Sequence, residues 1–319
     1  MSRILIVGGA GYIGGLTTDY LISNNEVLVY DNLLYENRYL KPVNFVNADL
    51  RDTKALARIS ADFDTIILLA ALVGDPACSA NQSLTQELNY QAIKRACKEI
   101  PKDKHIIFTS TCSVYGAQED ILDEKSPTNP LSSYASTKLA AEKHVLARGG
   151  TVFRLGTVYG LGDNYSRIRM DLVINYLTMR AIKYGNITIN GGSQYRPIIS
   201  VQDVAKYISE STQKKPAGIF VVARQNIQID EIGKMIGNIF PSAKIDYNEI
   251  SFHDARNYRV NTEKARNYFN YQPTEGTIED EIFKIKALLE QKRIKDPESF
   301  LYNNGLYVKE FLDGKTTIN

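Results

Sequence analysis

Cysteine and histidine are scarce, and that scarcity argues against two kinds of site. Cys78, Cys97 and Cys112 are an odd set, widely spaced, with no Cys-x-x-Cys pair. Such a set suits a reducing compartment and argues against a disulfide scaffold. His105, His144 and His253 lie far apart and show no metal-ligand spacing, so no metal site is expected. The longest apolar run, Ile66 to Val73, falls far short of the ~20 residues that a membrane span needs. No secretion signal is visible, because the chain enters the apolar segment Arg3-Ile4-Leu5-Ile6-Val7 almost at once; the expected location is cytoplasmic. An excess of one charge is missing too. The formal net charge of +2 makes no case for nucleic acid or an anionic membrane as partner. No internal repeat or low-complexity stretch appears.

What is present is a 319-residue chain, 44% hydrophobic and 23% charged, long enough to bury a large core. Its first half alternates short apolar runs with helical patterns. Strands are expected at Ile4–Val7, Val27–Tyr30, Asn44–Val46, Thr65–Leu69, His105–Thr109 and Thr151–Arg154. Helices are expected at Ile13–Ser23, Leu84–Lys98 and Ser133–Ala147. This alternation predicts an α/β fold built of βαβ units, with a parallel sheet covered on both faces. After about residue 160 the rhythm loosens. A helix over Met170–Tyr184, a turn at Asn190-Gly191-Gly192, a helix from near Asp203, a strand at Gly218–Ala223 and a helix at Glu231–Ile239 are expected there. The final stretch, Lys295–Asn319, is polar with scattered Tyr, Phe and Leu, and packs either on the body or on a second subunit.

Gly8, Gly11 and Gly14 sit where the first strand meets the first helix. Without a Cβ they permit a tight turn and let helix N-terminal amides, with Tyr12 and Ile13 alongside, face a pyrophosphate. The placement favours a dinucleotide site over a Gly-rich turn with no ligand. Asp31, at the end of the second strand, can accept hydrogen bonds from an adenosine ribose and would repel a 2′-phosphate. Its neighbours Asn32 and Leu33 supply no arginine to reverse that, so NAD is expected rather than NADP; the bland reading of Asp31 is a turn residue. Asp49 and Leu50 are placed near the adenine, and Leu69, Ala70 and Ala71 along the cofactor's underside.

Tyr134 and Lys138 share a helix face one turn apart. A lysine there, together with an oxidised nicotinamide, favours phenolate and draws the tyrosine from ~10 toward working pH as a general base. A lone Tyr-x-x-x-Lys is weak; its place after the fifth strand gives it force. That strand runs into Thr109-Ser110-Thr111-Cys112-Ser113-Val114-Tyr115-Gly116, whose hydroxyls face the crevice where open α/β sheets bind ligands. Thr111 is the candidate to bridge a substrate oxygen and Tyr134. The alternative is that these hydroxyls only satisfy local backbone groups.

The chain resembles an extended short-chain dehydrogenase/reductase of the NAD-dependent nucleotide-sugar epimerase/dehydratase branch, like UDP-glucose 4-epimerases. The resemblance covers roughly residues 3–290. It rests on Gly8/Gly11/Gly14, Thr111 before Val114-Tyr115-Gly116, Tyr134-x-x-x-Lys138, Arg154 through Val158-Tyr159-Gly160, Arg196-Pro197-Ile198-Ile199-Ser200-Val201-x-Asp203-Val204-Ala205, and Phe269-Asn270-Tyr271-Gln272-Pro273. It implies a Rossmann-type doubly wound sheet over 1–165. An interlaced, smaller α/β nucleotide-sugar region over 166–294 and a tail over 295–319 would follow. It also implies a catalytic set of Thr111, Tyr134 and Lys138, with Thr109, Tyr134 and Lys138 touching NAD. Arg196 matches an arginine that grips the nucleotide diphosphate, as a guanidinium fork can; read alone it is equally a surface charge. Arg167, Arg169 and Arg256 add candidate cations, although a solvated helix start accounts for at least one of the first two. A homodimer through Leu84–Lys98 and Ser133–Ala147 is implied as well.

The chain departs from the family pattern in several places. Dehydratases carry Asp-Glu directly after the threonine; here Cys112 and Ser113 stand there, on the expected substrate side, which argues against dehydration. Cys112 as an acid for 3- or 5-epimerisation is conceivable, but a small buried thiol is the commoner role. Thr157 replaces an asparagine expected at the diphosphate, and Leu69 replaces a histidine. Val73-Gly74-Asp75-Pro76-Ala77-Cys78 differs from the common loop and points to a specialised sugar side. The expected function is a nucleotide-sugar 4-epimerase working through a transient 4-keto sugar. The alternatives are an NAD-dependent C4 dehydrogenase or 4-ketoreductase of bacterial surface-glycan biosynthesis, or a noncatalytic NAD-sensing scaffold.

Overall fold

The protein is described by a computed structural model covering residues 1–36, 38–248, 256–273 and 276–310. His253 and the tail beyond residue 310 lie outside the described residues. Seven strands form the main sheet: β1 Ser2–Val7, β2 Asn25–Asp31, β3 Asn44–Asn47, β4 Thr65–Leu68, β5 His105–Thr111, β6 Thr151–Leu155 and β7 Gly218–Val222. Their spatial order is β3-β2-β1-β4-β5-β6-β7, and every pairing is parallel. The chain leaves β1 toward β2 and β3, then returns to β4 on the other side. The carboxyl ends of β1 and β4 therefore flank the switch point where such sheets bind ligands.

The continuous apolar character of the strands follows from burial on both faces. Leu5 and Val7 of β1 face one core with Ile66 and Leu68 of β4, while Ile4 and Ile6 face another with Ile67. The first core is closed by Leu56, Ala92, Ile93, Ala96, Ala141 and Val145, contributed by helices. On the other face the helix Tyr12–Leu21 packs against the helix Val201–Lys214. That helix and β7 come from beyond residue 165, so the chain's second half helps to build the sheet. A third core joins Tyr159, Ile174, Leu177, Ile189, Ile232 and Ile282 beneath a small sheet of Thr157–Tyr159, Tyr195–Ser200 and Gln225–Gln228.

Four elements near the site differ from expectation. The helix expected over Leu84–Lys98 is Gln82–Gln86, then a π-helical turn at Glu87–Ala92, then Ile93–Glu99. A widened turn of this kind commonly marks a functional site. Here it carries Asn89, whose side chain accepts from Leu72 N and donates to Leu72 O, both at 2.8 Å. The helix expected from Met170 begins at Val173, which leaves Arg167–Leu172 as a loop over the sheet's carboxyl edge. The helix Thr53–Ser60, capped by the Asp52 side chain, and the strand Ala117–Leu122, paired with Asn257–Val260, had no counterpart among the expected elements. Among the described residues no helix is long and apolar enough to cross a membrane.

Asn89 is almost fully buried and is the partner of both Leu72 backbone groups. Replacing it leaves the Leu72 N–H unsatisfied and its carbonyl with only the weak Cys78 thiol donor at 3.3 Å, a cost of ~1–3 kcal/mol. Asn89→Ala is therefore expected to lower the urea unfolding midpoint, and an unchanged midpoint would show that the clamp carries no stability.

Candidate active site

The first wall of the site is backbone. Gly8 follows β1 at φ +87°, and a Cβ there would collide with the backbone of Ala70. A Cβ on Gly14 would strike the Gly8 carbonyl. The helix Tyr12–Leu21 begins behind Gly11 with no side-chain cap, so its first amides keep their donor capacity for a ligand. Asp31 knits this loop to β2, accepting from Ala10 N at 3.1 Å and from Leu33 N at 2.8 Å. Burial pushes the Asp31 carboxyl up, and those backbone hydrogen bonds pull it back. Each of its oxygens keeps a second acceptor position. Asn32 donates to Asp49 at 3.0 Å, and Arg51 pairs with Asp49 at 2.7 Å.

The second wall is the carboxyl end of β5 and the helix Ser133–Leu146. Thr111 Oγ1 accepts from Ser113 N at 3.1 Å and caps a 3-10 turn over Cys112–Tyr115. The Thr111 hydroxyl lies on the same side and works against the burial that raises the Tyr134 phenol. Ser110 turns away and donates to Glu142 at 2.5 Å, and Glu142 pairs with Arg154 at 2.8 Å. Lys138 lies one turn beyond Tyr134, its ammonium 4.2 Å from the centre of the Phe108 ring. Burial lowers Lys138 to about 7, against the pull of Cys78 and Glu142. The sequence reading gave Lys138 the task of drawing the phenol down. In the structure burial dominates and pushes Tyr134 up, with Cys78 and Asp75 adding to it; the cation that opposes them is Arg169.

Both walls face one cleft of about 770 Å³. Gly8, Gly11, Tyr12, Ile13, Gly14, Asp31, Asn32, Asp49 and Leu50 line one end of it. Leu69, Ala70, Ala71, Thr109, Thr111, Ser113, Tyr134 and Lys138 line its middle, and Thr157, Arg167, Arg196 and Arg256 its far side. Cys112 does not belong there. The 3-10 turn directs its thiol inward to donate to Arg154 O at 3.3 Å, within a core of Val114, Tyr115 and Val221. The reading of Cys112 as a substrate contact is thus corrected: its neighbour Ser113 takes the cleft side, 3.4 Å from the Tyr258 hydroxyl.

The structure gives the candidate cation Arg169 its place and adds residues that the sequence did not single out. Arg169 is buried and ion-paired with Asp171 at 2.6 Å, and both line the cleft. The described part of the tail lies on the body. The helix Asn304–Glu310 packs on Asp75–Ala80, and Asn303, Asn304 and Gly305 form part of the cleft wall. Arg167 is held between the Tyr35 and Tyr307 rings and donates to Leu301 O at 2.9 Å and to Asn304 Oδ1. Its guanidinium is therefore engaged by the tail. The tail was open as a sequence question because its contacts reach across more than 130 residues of chain.

The model of the NAD dependent epimerase/dehydratase family matches residues 4–223. The chain belongs to that family. It is 26% identical over 263 residues to the N-acetyl-alpha-D-glucosaminyl-diphospho-ditrans,octacis-undecaprenol 4-epimerase of Escherichia coli O157:H7, covering 77% of this chain and 76% of that one. Among solved structures, an NAD dependent NDP-hexosamine 5,6-dehydratase of tunicamycin biosynthesis shares the fold with a TM-score of 0.80 at 22% identity, over 93% of this chain and all of that one, 100%. The UDP-glucose 4-epimerase of Thermus thermophilus, solved with NAD, gives 0.77 at 22% identity, over 89% and 99%. The protein is an NAD-dependent nucleotide-sugar epimerase or a related oxidoreductase, and its cofactor is NAD. The uncapped helix start behind Gly11, reached by a turn so tight that Gly8 and Gly14 admit no Cβ, fits that cofactor's pyrophosphate.

Glu36 follows in the loop after β2 and accepts from Arg167 N at 2.6 Å. Burial raises its carboxyl to about 7; Arg167 opposes this, while Asp31 and Asp163 reinforce it. A carboxyl raised on folding lends stability that is full below its unfolded value and is lost as pH climbs through the folded value. Glu36→Gln is therefore expected to raise Tm at pH 8 and leave it unchanged at pH 4. A gain of equal size at both pH values would contradict this.

Proposed function

We propose that the protein is a nucleotide-sugar 4-epimerase. The observation that carries this reading lies directly after Thr111. One of the two positions, Cys112, is sealed in the core, and the other, Ser113, offers a hydroxyl beside Tyr258, so neither supplies a carboxyl for eliminating water. What remains at the reacting end is the Thr111, Tyr134 and Lys138 set, in the cleft that Arg196 and Arg256 also line.

Tyr134, as phenolate, takes the proton of the sugar 4-hydroxyl, with Thr111 bridging the two oxygens. NAD, when bound, supplies the two-electron acceptor and donor for C4. The resulting 4-keto sugar turns over, and Tyr134 returns its proton to the oxygen on the inverted carbon. Lys138, lowered to about 7 by burial one turn beyond Tyr134, is placed to hold a ribose hydroxyl. Arg169 opposes the burial that raises the phenol and so favours its ionised form. Arg196, buried on the far side, is placed to meet a diphosphate. The reading includes a homodimer through Leu84–Lys98 and Ser133–Ala147, two stretches that lie side by side within one protomer, where the Tyr90 and His144 ring centroids are 5.8 Å apart.

The test is incubation with UDP-, GDP-, CDP- and dTDP-sugars, following product by NMR and reduced cofactor by absorbance. Inversion at C4 without net reduced cofactor is expected; stoichiometric reduced cofactor with a keto product would make the protein a dehydrogenase. Tyr134→Phe is expected to retain NAD and lose roughly 10²-fold or more in turnover, because only the proton-transfer group is removed. Near-normal turnover in that variant would overturn the mechanism.

A further inference from the structure

Behind the glycine turn lies a buried lysine that the proposed reaction does not use. Lys41 stands in the loop after β2, and its side chain is only 2% exposed. A lysine ammonium carries three N–H donors, and three oxygens surround this one. It donates to Gly15 O and to Asp19 Oδ1, the latter at 2.7 Å, and pairs with Asp163 Oδ2 at 2.7 Å. A charge is buried in this way only when it is paired, and loss of one partner leaves the other uncompensated. The partners lie on two separate parts of the chain. Gly15 and Asp19 belong to the helix Tyr12–Leu21, whose first turn faces the pyrophosphate site. Asp163 belongs to the segment 160–172, and its side chain is buried as deeply as that of Lys41.

The segment 160–172 wraps the start of that helix. Tyr12 donates to Gly160 O at 2.9 Å, and a Cβ on Gly15 would strike the Asp163 and Ser166 side chains. Asp163 Oδ1 accepts from Ser166 N at 3.0 Å, which fixes the carboxylate in place. Further on, the same segment meets the loop after β2 a second time. Arg167 N donates to Glu36 at 2.6 Å, and the Arg167 guanidinium lies 4.3 Å from the centre of the Tyr35 ring. Lys41–Asp163 and Glu36–Arg167 are thus two rungs between chain segments that run in opposite directions. Tyr35, Glu36 and Arg167 line the cleft, whereas Lys41 and Asp163 stand behind that lining.

We infer that Lys41 is a positioning residue for cofactor retention: by pinning Asp163 it holds the loop after β2 against the segment 160–172, and NAD enters or leaves only when the two part. The inference rests on the NAD site and not on which sugar reaction follows. Lys41 touches neither cofactor nor sugar; it acts through the Glu36–Arg167 contact on the cleft wall. A cofactor restored within each catalytic cycle has no need to leave, so a barrier to its release costs an epimerase no turnover.

The test is stopped-flow exchange of NADH on wild type, Lys41→Met, Asp163→Asn and Asp19→Ala. Bound NADH is chased with excess NAD and followed by its fluorescence; association is followed by adding NADH to cofactor-stripped protein. Asp163→Asn is isosteric and keeps Oδ1 for the Ser166 amide, so it carries the test should Lys41→Met not fold. Both variants are expected to release NADH about tenfold or more faster than wild type, with association faster too, because the joined segments bar the way in as well as out. Asp19→Ala removes the Lys41 partner on the helix and leaves the rung to the segment 160–172, so its rates should stay within about twofold of wild type. Unchanged release in Asp163→Asn would overturn the inference. Equal acceleration in Asp19→Ala would do the same, since Lys41 would then be a plain anchor for the helix. Faster release with association no faster would mark a damaged cofactor site and also overturn it.

Discussion

The buried ion pair between Glu142 and Arg154 positions the reacting groups. Tyr134, Lys138 and Glu142 recur at every fourth residue of one helix and so share its inner face. Glu142 reaches two strands at once, accepting from Ser110 on β5 and pairing with Arg154 on β6. Arg154 in turn donates to the Tyr115 hydroxyl at 3.0 Å, and Tyr115 donates to Asp123 O at 2.6 Å. The helix bearing the phenol is thereby fixed against the strand bearing Thr111. Breaking such a pair by removing one partner costs about 3–5 kcal/mol, because the other charge is left buried alone. The arrangement puts a charged lock two turns behind the chemistry, where burial can raise Tyr134 and lower Lys138 without loosening the helix.

A second constraint closes the site from the other side. The Arg169–Asp171 pair sits in the loop before the helix Val173–Tyr184, and Asp171 also accepts from Asn304 N at 3.0 Å. Asn304 bonds the Val73 carbonyl on the loop after β4 as well. One residue of the tail thus joins two loops that are far apart in sequence, and Arg167 between Tyr35 and Tyr307 ties in the loop after β2. The cleft is assembled from the ends of β1, β2, β4 and β5 and then framed by the C-terminal segment.

The parts legible in the sequence are those with a local physical cause. Gly8 and Gly14 are readable because close backbone approach leaves no alternative residue, and β1, β4, β5 and β6 because strands buried on both faces read as apolar runs. Asp31 and the Tyr134–Lys138 spacing are readable because strand ends and helical turns have fixed geometry. The rest depends on contacts that no local pattern encodes. Cys112 and Ser113 are neighbours of similar size, and only the 3-10 turn sends one to the core and the other to the cleft. The π turn at Glu87–Ala92 breaks a regular helical pattern around Asn89, whose partner is 17 residues away. Arg169, rather than Lys138, is the cation that draws the phenol down, from a loop with no motif, and the tail's place rests on hydrogen bonds with no motif of their own.

The central claim is that hydrogen leaves C4 and returns to the same carbon on its other face within one cleft. It is tested most directly with a nucleotide sugar deuterated at C4, turned over in ordinary water and read by NMR and mass. The account predicts that the inverted product keeps its deuterium at C4. Inverted product carrying protium at C4, or deuterium released in free reduced cofactor, would contradict it.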